Sequence, residues 1–251
     1  GVAIAVGGAL LVLGPDPTDN LIGVALSLVL GIPLLRVSML INDALVLPRF
    51  AVTRELLEDR NTGTGWVVAG SLIGSGLVLS GSMAGTSPGW GLAARDIVVY
   101  WAFGQLVMVL SGIVYQWITP YDLHDEIENR DNPAVGVGFA AWLVAVGLII
   151  RASLLGAGSA LLPELALSSV LCLTGILVLA LGRVFIDRVV LPGVSLGTEV
   201  GSQKNLAASA VLAVGFLALA LLIGSAYASQ SLAADPIDPA AVELPEEGVI
   251  E

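Results

Sequence analysis

The sequence predicts an all-α fold, a polytopic transmembrane helical bundle, and three observations carry that prediction. The chain is 56% apolar and 12% charged, with a mean hydropathy of +0.93, whereas a soluble domain carries about 25% charged residues. Its apolar residues gather into seven stretches, most of them long enough to cross a hydrocarbon layer of roughly 30 Å. These stretches are too long for strands and lack the alternation of a membrane β-barrel, whose segments run to about 10 residues. The single cysteine, Cys172, excludes a disulfide framework and a Cys-based metal centre, and the single histidine, His124, leaves little for a haem or a His-based triad.

Taken in order, the spans are predicted at Val2–Leu13, Leu21–Leu47, Gly65–Met83, Ile97–Ile118, Ala134–Leu155, Leu165–Leu191 and Leu206–Tyr227. The first is too short to cross, and the repeat described below implies a helix and a connector ahead of it, making eight helices in all. Arg36, Arg49, Arg54, Arg60, Arg130, Arg183, Arg188 and Lys204 fall towards one side, with only Arg95 and Arg151 towards the other. Basic loops stay in the cytoplasm, so the reading is a multi-pass plasma-membrane protein with an extracellular C-terminus. Trp117 and Tyr121 on the inner side, and Trp90 and Tyr227 on the outer, suit interfacial belts. From Ser229 to Glu251 the chain has six acids, three prolines and no base, which predicts a solvated, mostly irregular tail.

The formal net charge of −11 and the pI near 4.3 exclude nucleic-acid binding through a basic face. Nine of the ten bases are arginine. An acid-rich, lysine-poor chain suits concentrated salt, where charge repulsion is screened within about 3 Å at 1 M; a halophilic, archaeal source is expected, with GC-rich codon bias as the plainer explanation.

Three connectors on the predicted cytoplasmic side share one pattern: Val52-x-x-Glu55-Leu56-x4-Asn61, Leu123-x-x-Glu126-Ile127-x4-Asn132 and Leu196-x-x-Glu199-Val200-x4-Asn205. The asparagines are 71 and 73 residues apart, so the repeating unit is a pair of spans, and all four units run in parallel. An offset of 144 also pairs Asp43 with Asp187 and Val46-Leu47-Pro48 with Val190-Leu191-Pro192. On these motifs the chain resembles the YjfL-like inner-membrane proteins, a family defined by a domain of unknown function with about four spans. The resemblance implies two tandem domains, 1–86 without its first helix and 87–228, followed by the tail 229–251. The glycine expected just before the asparagine in that family is replaced in Asn129-Arg130-Asp131 and Ser202-Gln203-Lys204.

Asn61, Asn132 and Asn205 stand where a helix begins, so each can accept one of its free backbone N–H groups, a cap worth about 1 kcal/mol. The alternative is a contact from the amide to an ion or solute. Each glutamate flanks an apolar stripe made by the residues three before and one after it, and so points sideways rather than freely into water. Glu55, Glu126 and Glu199 therefore read either as clamps seeking a backbone or arginine partner, or as a ring of carboxylates attracting cations at the cytoplasmic mouth.

Asp43, Asp187, Arg36 and Arg183 sit inside spans, where ionisable groups are costly; the spacing of Arg183 and Asp187 allows a pair within one helix. The middle unit carries no such acid, and Gln116 is its nearest polar residue. Gly70-x3-Gly74, Gly136-x3-Ala140 and Ala141-x3-Ala145 are packing seams. Asp122, His124, Asp125, Glu126 and Glu128 match no familiar metal-ligand spacing, so no metal, no cofactor and no catalytic residue are expected. Two functions compete: a cation-conducting or ion-handling protein working through these carboxylates, and a structural or accessory subunit that assembles with itself or another membrane protein. Lipids are the other expected partners.

Overall fold

The computed structural model describes residues 17–46, 52–85, 87–155, 157–158 and 160–234. The short first span and most of the acidic tail lie outside them. Within them the chain is helical without strands: α1 (Pro17–Ile41), α2 (Val52–Leu57), α3 (Thr62–Ser82), α4 (Trp90–Ile118), α5 (Leu123–Glu128), α6 (Pro133–Leu154), α7 (Leu161–Phe185) and α8 (Leu206–Ala234). Wider π turns continue α1 over Asn42–Val46 and α7 over Ile186–Val190, and a third runs over Gly197–Ser202.

Six of these helices are long and apolar enough to cross a membrane, and they match the six predicted spans that lie among the described residues. The largest difference at a helix start is at α4, which begins at Trp90, seven residues before the predicted Ile97. Arg95 and Asp96 explain it. They pair at 2.6 Å, and Ser87 donates to the other Asp96 oxygen at 2.6 Å, so a buried carboxylate continues the helix instead of ending it. At the far end α8 runs to Ala234, into the predicted tail, before Asp235-Pro236, a step that disfavours helix.

The bundle is apolar on its outside as well as in its core. α7 exposes Leu167, Val170, Leu173, Leu177 and Leu181, a three-and-four-residue stripe suited to lipid. Its Ser168, Cys172, Gly175, Leu179 and Gly182 are buried instead. α6 is the central helix, packed most extensively against α3 on one side and α8 on the other. Glycine makes the α3–α6 approach possible: a Cβ at Gly70 would lie 2.6 Å from Ala140 Cα, one at Gly136 2.6 Å from Gly63 Cα, and one at Gly147 2.8 Å from Gly74 Cα. In lipid, where burial of apolar surface gives helices no drive to associate, such backbone contact supplies the packing energy. Beside α6, Tyr115, Phe139, Trp142 and Phe216 form an aromatic core with ring centroids 5.1–6.4 Å apart, and Trp142 Nε1 donates to Ser111 O at 3.0 Å.

Candidate functional site

The three connectors lie at one end of the bundle and share one geometry. The apolar stripe of each takes about one helical turn, and Leu123, Ile127, Leu196 and Val200 are fully buried by it. The chain then reverses through a left-handed residue immediately before the asparagine: Arg60 (φ 54°), Asp131 (φ 45°) and Lys204 (φ 52°). The tight turn thus forms without glycine, at some backbone cost. The reversal brings the asparagine amide back onto the glutamate, with the backbone N–H of Asn61, Asn132 and Asn205 donating to the carbonyl of Glu55, Glu126 and Glu199.

Each asparagine then acts at both ends of its side chain. Its oxygen caps the following helix: Asn61 Oδ1 accepts from Thr64 N at 3.0 Å, Asn132 Oδ1 from Ala134 N and Val135 N at 3.1 and 3.3 Å, and Asn205 Oδ1 from Ala207 N and Ala208 N at 3.0 and 3.2 Å. Its Nδ2 donates to the glutamate carboxylate, at 3.0 Å to Glu55, 3.0 Å to Glu126 and 2.7 Å to Glu199. The same nitrogen also links neighbouring units. Asn61 Nδ2 reaches Ile127 O at 2.7 Å, and Asn132 Nδ2 reaches Val200 O at 3.0 Å and Gly201 O at 2.8 Å. Ile127 and Val200 occupy the same place, one residue after the glutamate of the next connector. Each of the first two clasps is therefore closed by the connector that follows it, and both are buried.

The carboxylates differ in their remaining partners. Arg130 lies 3.0 Å from Glu126 and 3.2 Å from Asp125. Asp122 caps α5, accepting from His124 N and Asp125 N. Among the described residues no group of three His, Cys, Asp or Glu side chains is arranged to hold a metal ion.

Asp43 and Asp187 both fall second in a π turn, half-buried. Arg183 and Asp187 do not form the pair their spacing allows. The π turn is wider than an α turn, so residues four apart no longer stack, and Asp187 Oδ1 instead accepts from Leu196 N at 2.6 Å. Gln116 does the same for the middle unit, its Oε1 accepting from Leu123 N at 2.9 Å. Arg183 is buried beside Tyr115 and Tyr121. Burial pushes the Tyr121 phenol above its ordinary value, and the Arg183 guanidinium acts in the opposite direction. Arg36 is exposed, and no ion pair joins it to Asp43 among the described residues.

A second polar group lies inside the spans and has no counterpart in the predicted site. Asn42 Nδ2 donates to Ser75 Oγ at 3.0 Å and Trp101 Nε1 to Ser38 Oγ at 2.9 Å. Gln105 is 2% exposed, and neither of its amide atoms, nor Asn42 Oδ1, has a hydrogen-bond partner among the described residues. Being uncharged, these residues escape a search for intramembrane charge; an amide in an otherwise apolar span was the available signal.

Apolar helices of spanning length, stacked as parallel units with a repeated Glu–Asn clasp, define a multi-pass integral membrane protein built by internal duplication. A family model described as Domain of Unknown Function (DUF350) matches residues 16–95 and again 89–227, in agreement with two tandem copies. The chain belongs to the DUF350 family. No curated protein and no solved structure matches it.

Proposed function

We propose that the protein is a structural or accessory membrane subunit, one that assembles with other chains rather than transporting a solute or catalysing a reaction. The observation supporting this reading most directly is the state of the connector carboxylates. Glu55 and Glu126 are buried and hydrogen-bonded into clasps that tie one unit to the next, the behaviour of clamps rather than of an open cation-attracting ring. α6 occupies the bundle centre in backbone contact with α3, which suits a packed scaffold. The distribution of basic residues supports a cytoplasmic connector end in the plasma membrane, and the acid-rich, lysine-poor composition supports a halophilic, archaeal source.

Cation flux into liposomes tests the proposal. Vesicles holding the protein should leak no faster than empty ones, and Glu55→Gln, Glu126→Gln and Glu199→Gln together should change nothing. A leak that falls in the triple variant would sink it. One observation favours the ion-handling alternative, namely the unpartnered amides of Gln105 and Asn42 inside the spans, because buried polar groups in a membrane often mark a pathway. On that alternative the wild type conducts and Gln105→Leu reduces the flux.

A further inference from the structure

The third clasp is built like the other two but nothing among the described residues closes it. Asn205 Nδ2 meets only Glu199 there, and Asn205 and Glu199 are half-exposed where their counterparts are buried. At the place a following connector would take lies a groove of about 320 Å³, lined among others by Leu191, Val194, Glu199, Asn205, Ala207 and Val211.

The helix beyond repeats the pattern. In α3 the residues two, nine, thirteen and twenty after the asparagine are Gly63, Gly70, Gly74 and Gly81, and all four face α6. In α6 the same positions are Ala134, Ala141, Ala145 and Ala152. Ala134 O accepts from Ser209 Oγ of α8, and Ala152 lies against Gly224, while Ala141 and Ala145 are buried. The register is conserved between the two interfaces: position two meets position four of the next helix (Gly63 with Gly136, Ala134 with Ser209), and position twenty meets position nineteen (Gly81 with Arg151, Ala152 with Gly224). In α8 these positions are Ala207, Val214, Ala218 and Ser225, and all four are exposed.

We propose that this uncovered end of the array, the Glu199–Asn205 groove together with the Ala207–Val214–Ala218–Ser225 face of α8, binds a second copy of this chain, a proposal that rests on the scaffold reading above. The ligand chemistry is set by what fills the two equivalent places: the carbonyl one residue after a connector glutamate, followed by a small-residue helix in matching register. The second and third connectors already close clasps within their own chain, so the unit that a second copy offers is its first, with Leu56 one residue after Glu55 and the glycine-rich α3 behind it. All units share one orientation across the membrane, so the copies are related by rotation about the bilayer normal, and a contact between unlike faces closes into a ring or extends as a row. Val214 and the alanines make the approach wider than the glycine-to-glycine contact of α3 with α6.

The test uses two differently tagged copies of the full chain, co-expressed, extracted into nanodiscs, and read by co-purification and native mass spectrometry. Wild-type copies should co-purify as an oligomer. Val214→Trp and Ala218→Trp place bulk on the face and should cut co-purification about tenfold or more, the factor expected for the loss of about 1.4 kcal/mol. Their helix content should stay unchanged. Leu173→Trp, on the lipid-facing stripe of α7, should assemble as the wild type does. Asn205→Asp keeps a capping oxygen but loses the amide donor, and should weaken assembly. Monomeric wild-type protein, retention of a different membrane protein without pairing of the tagged copies, or undiminished pairing in the tryptophan variants would each overturn the proposal. Liposome flux remains a separate readout, so failure to pair without flux removes the self-interface and leaves the scaffold reading in place.

Discussion

The middle and third clasps have the same residues at the same spacing, and they differ in what lies beside them. Asn132 is fully buried and makes three donor contacts, to Glu126 and to two carbonyls of the next connector. Asn205 is half-exposed and donates to Glu199 alone among the described residues. The repeat motif fixes the local turn, but the neighbouring unit decides how much energy rides on it. A buried acceptor that loses its donor pays the full desolvation cost, whereas an exposed one finds water.

Asn132→Ala should therefore have the largest effect. It removes a cap worth about 1 kcal/mol and leaves a buried carboxylate oxygen and two carbonyls without their donor, at about 1–3 kcal/mol each before relaxation; a net loss of about 4 kcal/mol is expected. Asn205→Ala should cost about 1 kcal/mol, the cap alone. Thermal midpoints in detergent compare the two, and equal losses would mean that the neighbouring connector contributes nothing.

The helix faces sharpen the same contrast. A Cβ on Gly70 meets the Ala140 backbone at 2.6 Å, and backbone cannot step aside, so Gly70→Val should cost about 3 kcal/mol through overpacking. Val214, in the equivalent position of α8, is 65% exposed, and Val214→Leu should leave the stability of a single chain within about 0.5 kcal/mol of the wild type. Chemical denaturation of both variants in the same detergent measures the difference.

These contrasts also explain what the sequence could and could not reveal. The spans were legible because apolar length alone decides them, and the start that shifted furthest did so where charges neutralise each other, at Arg95 and Asp96. The asparagine caps were legible because position and residue type suffice. The bond from each asparagine back to its glutamate was hidden, since it depends on a left-handed residue that glycine would have advertised and that Arg60, Asp131 and Lys204 conceal. Gln116 and Asp187 serve the same backbone N–H from unequal distances, seven residues ahead of Leu123 and nine ahead of Leu196, so no alignment of the repeat pairs them. The links from one clasp to the next connector are tertiary and leave no local trace.

Tyr121 gives a smaller, pH-dependent effect. It packs against Gly201 of the third connector, and its phenol is raised above the ordinary value of 10.0, chiefly by burial. A group that holds its proton more tightly in the folded state contributes fully below the unfolded value and loses that contribution as pH rises through the folded one. The thermal midpoint should thus fall above about pH 10, and Tyr121→Phe should make the fall shallower. An unchanged slope in that variant would assign the alkaline loss to other groups.

The left-handed residues offer the finest comparison between connectors. Holding a side chain in this conformation costs about 1 kcal/mol, which glycine avoids, while glycine also loosens the unfolded chain by about half as much. Arg60 is exposed and its side chain has no ion pair or hydrogen bond among the described residues, so Arg60→Gly should gain about 0.5 kcal/mol. Lys204 occupies the same backbone position, but its Nζ donates to Arg130 O and so ties the third connector to the second. Lys204→Gly relieves the same backbone cost and breaks that tie, a hydrogen bond worth about 1 kcal/mol. It should gain nothing or lose slightly. If both variants shift the thermal midpoint upward by the same amount, the lysine contact carries no stability and the two turns differ only in sequence.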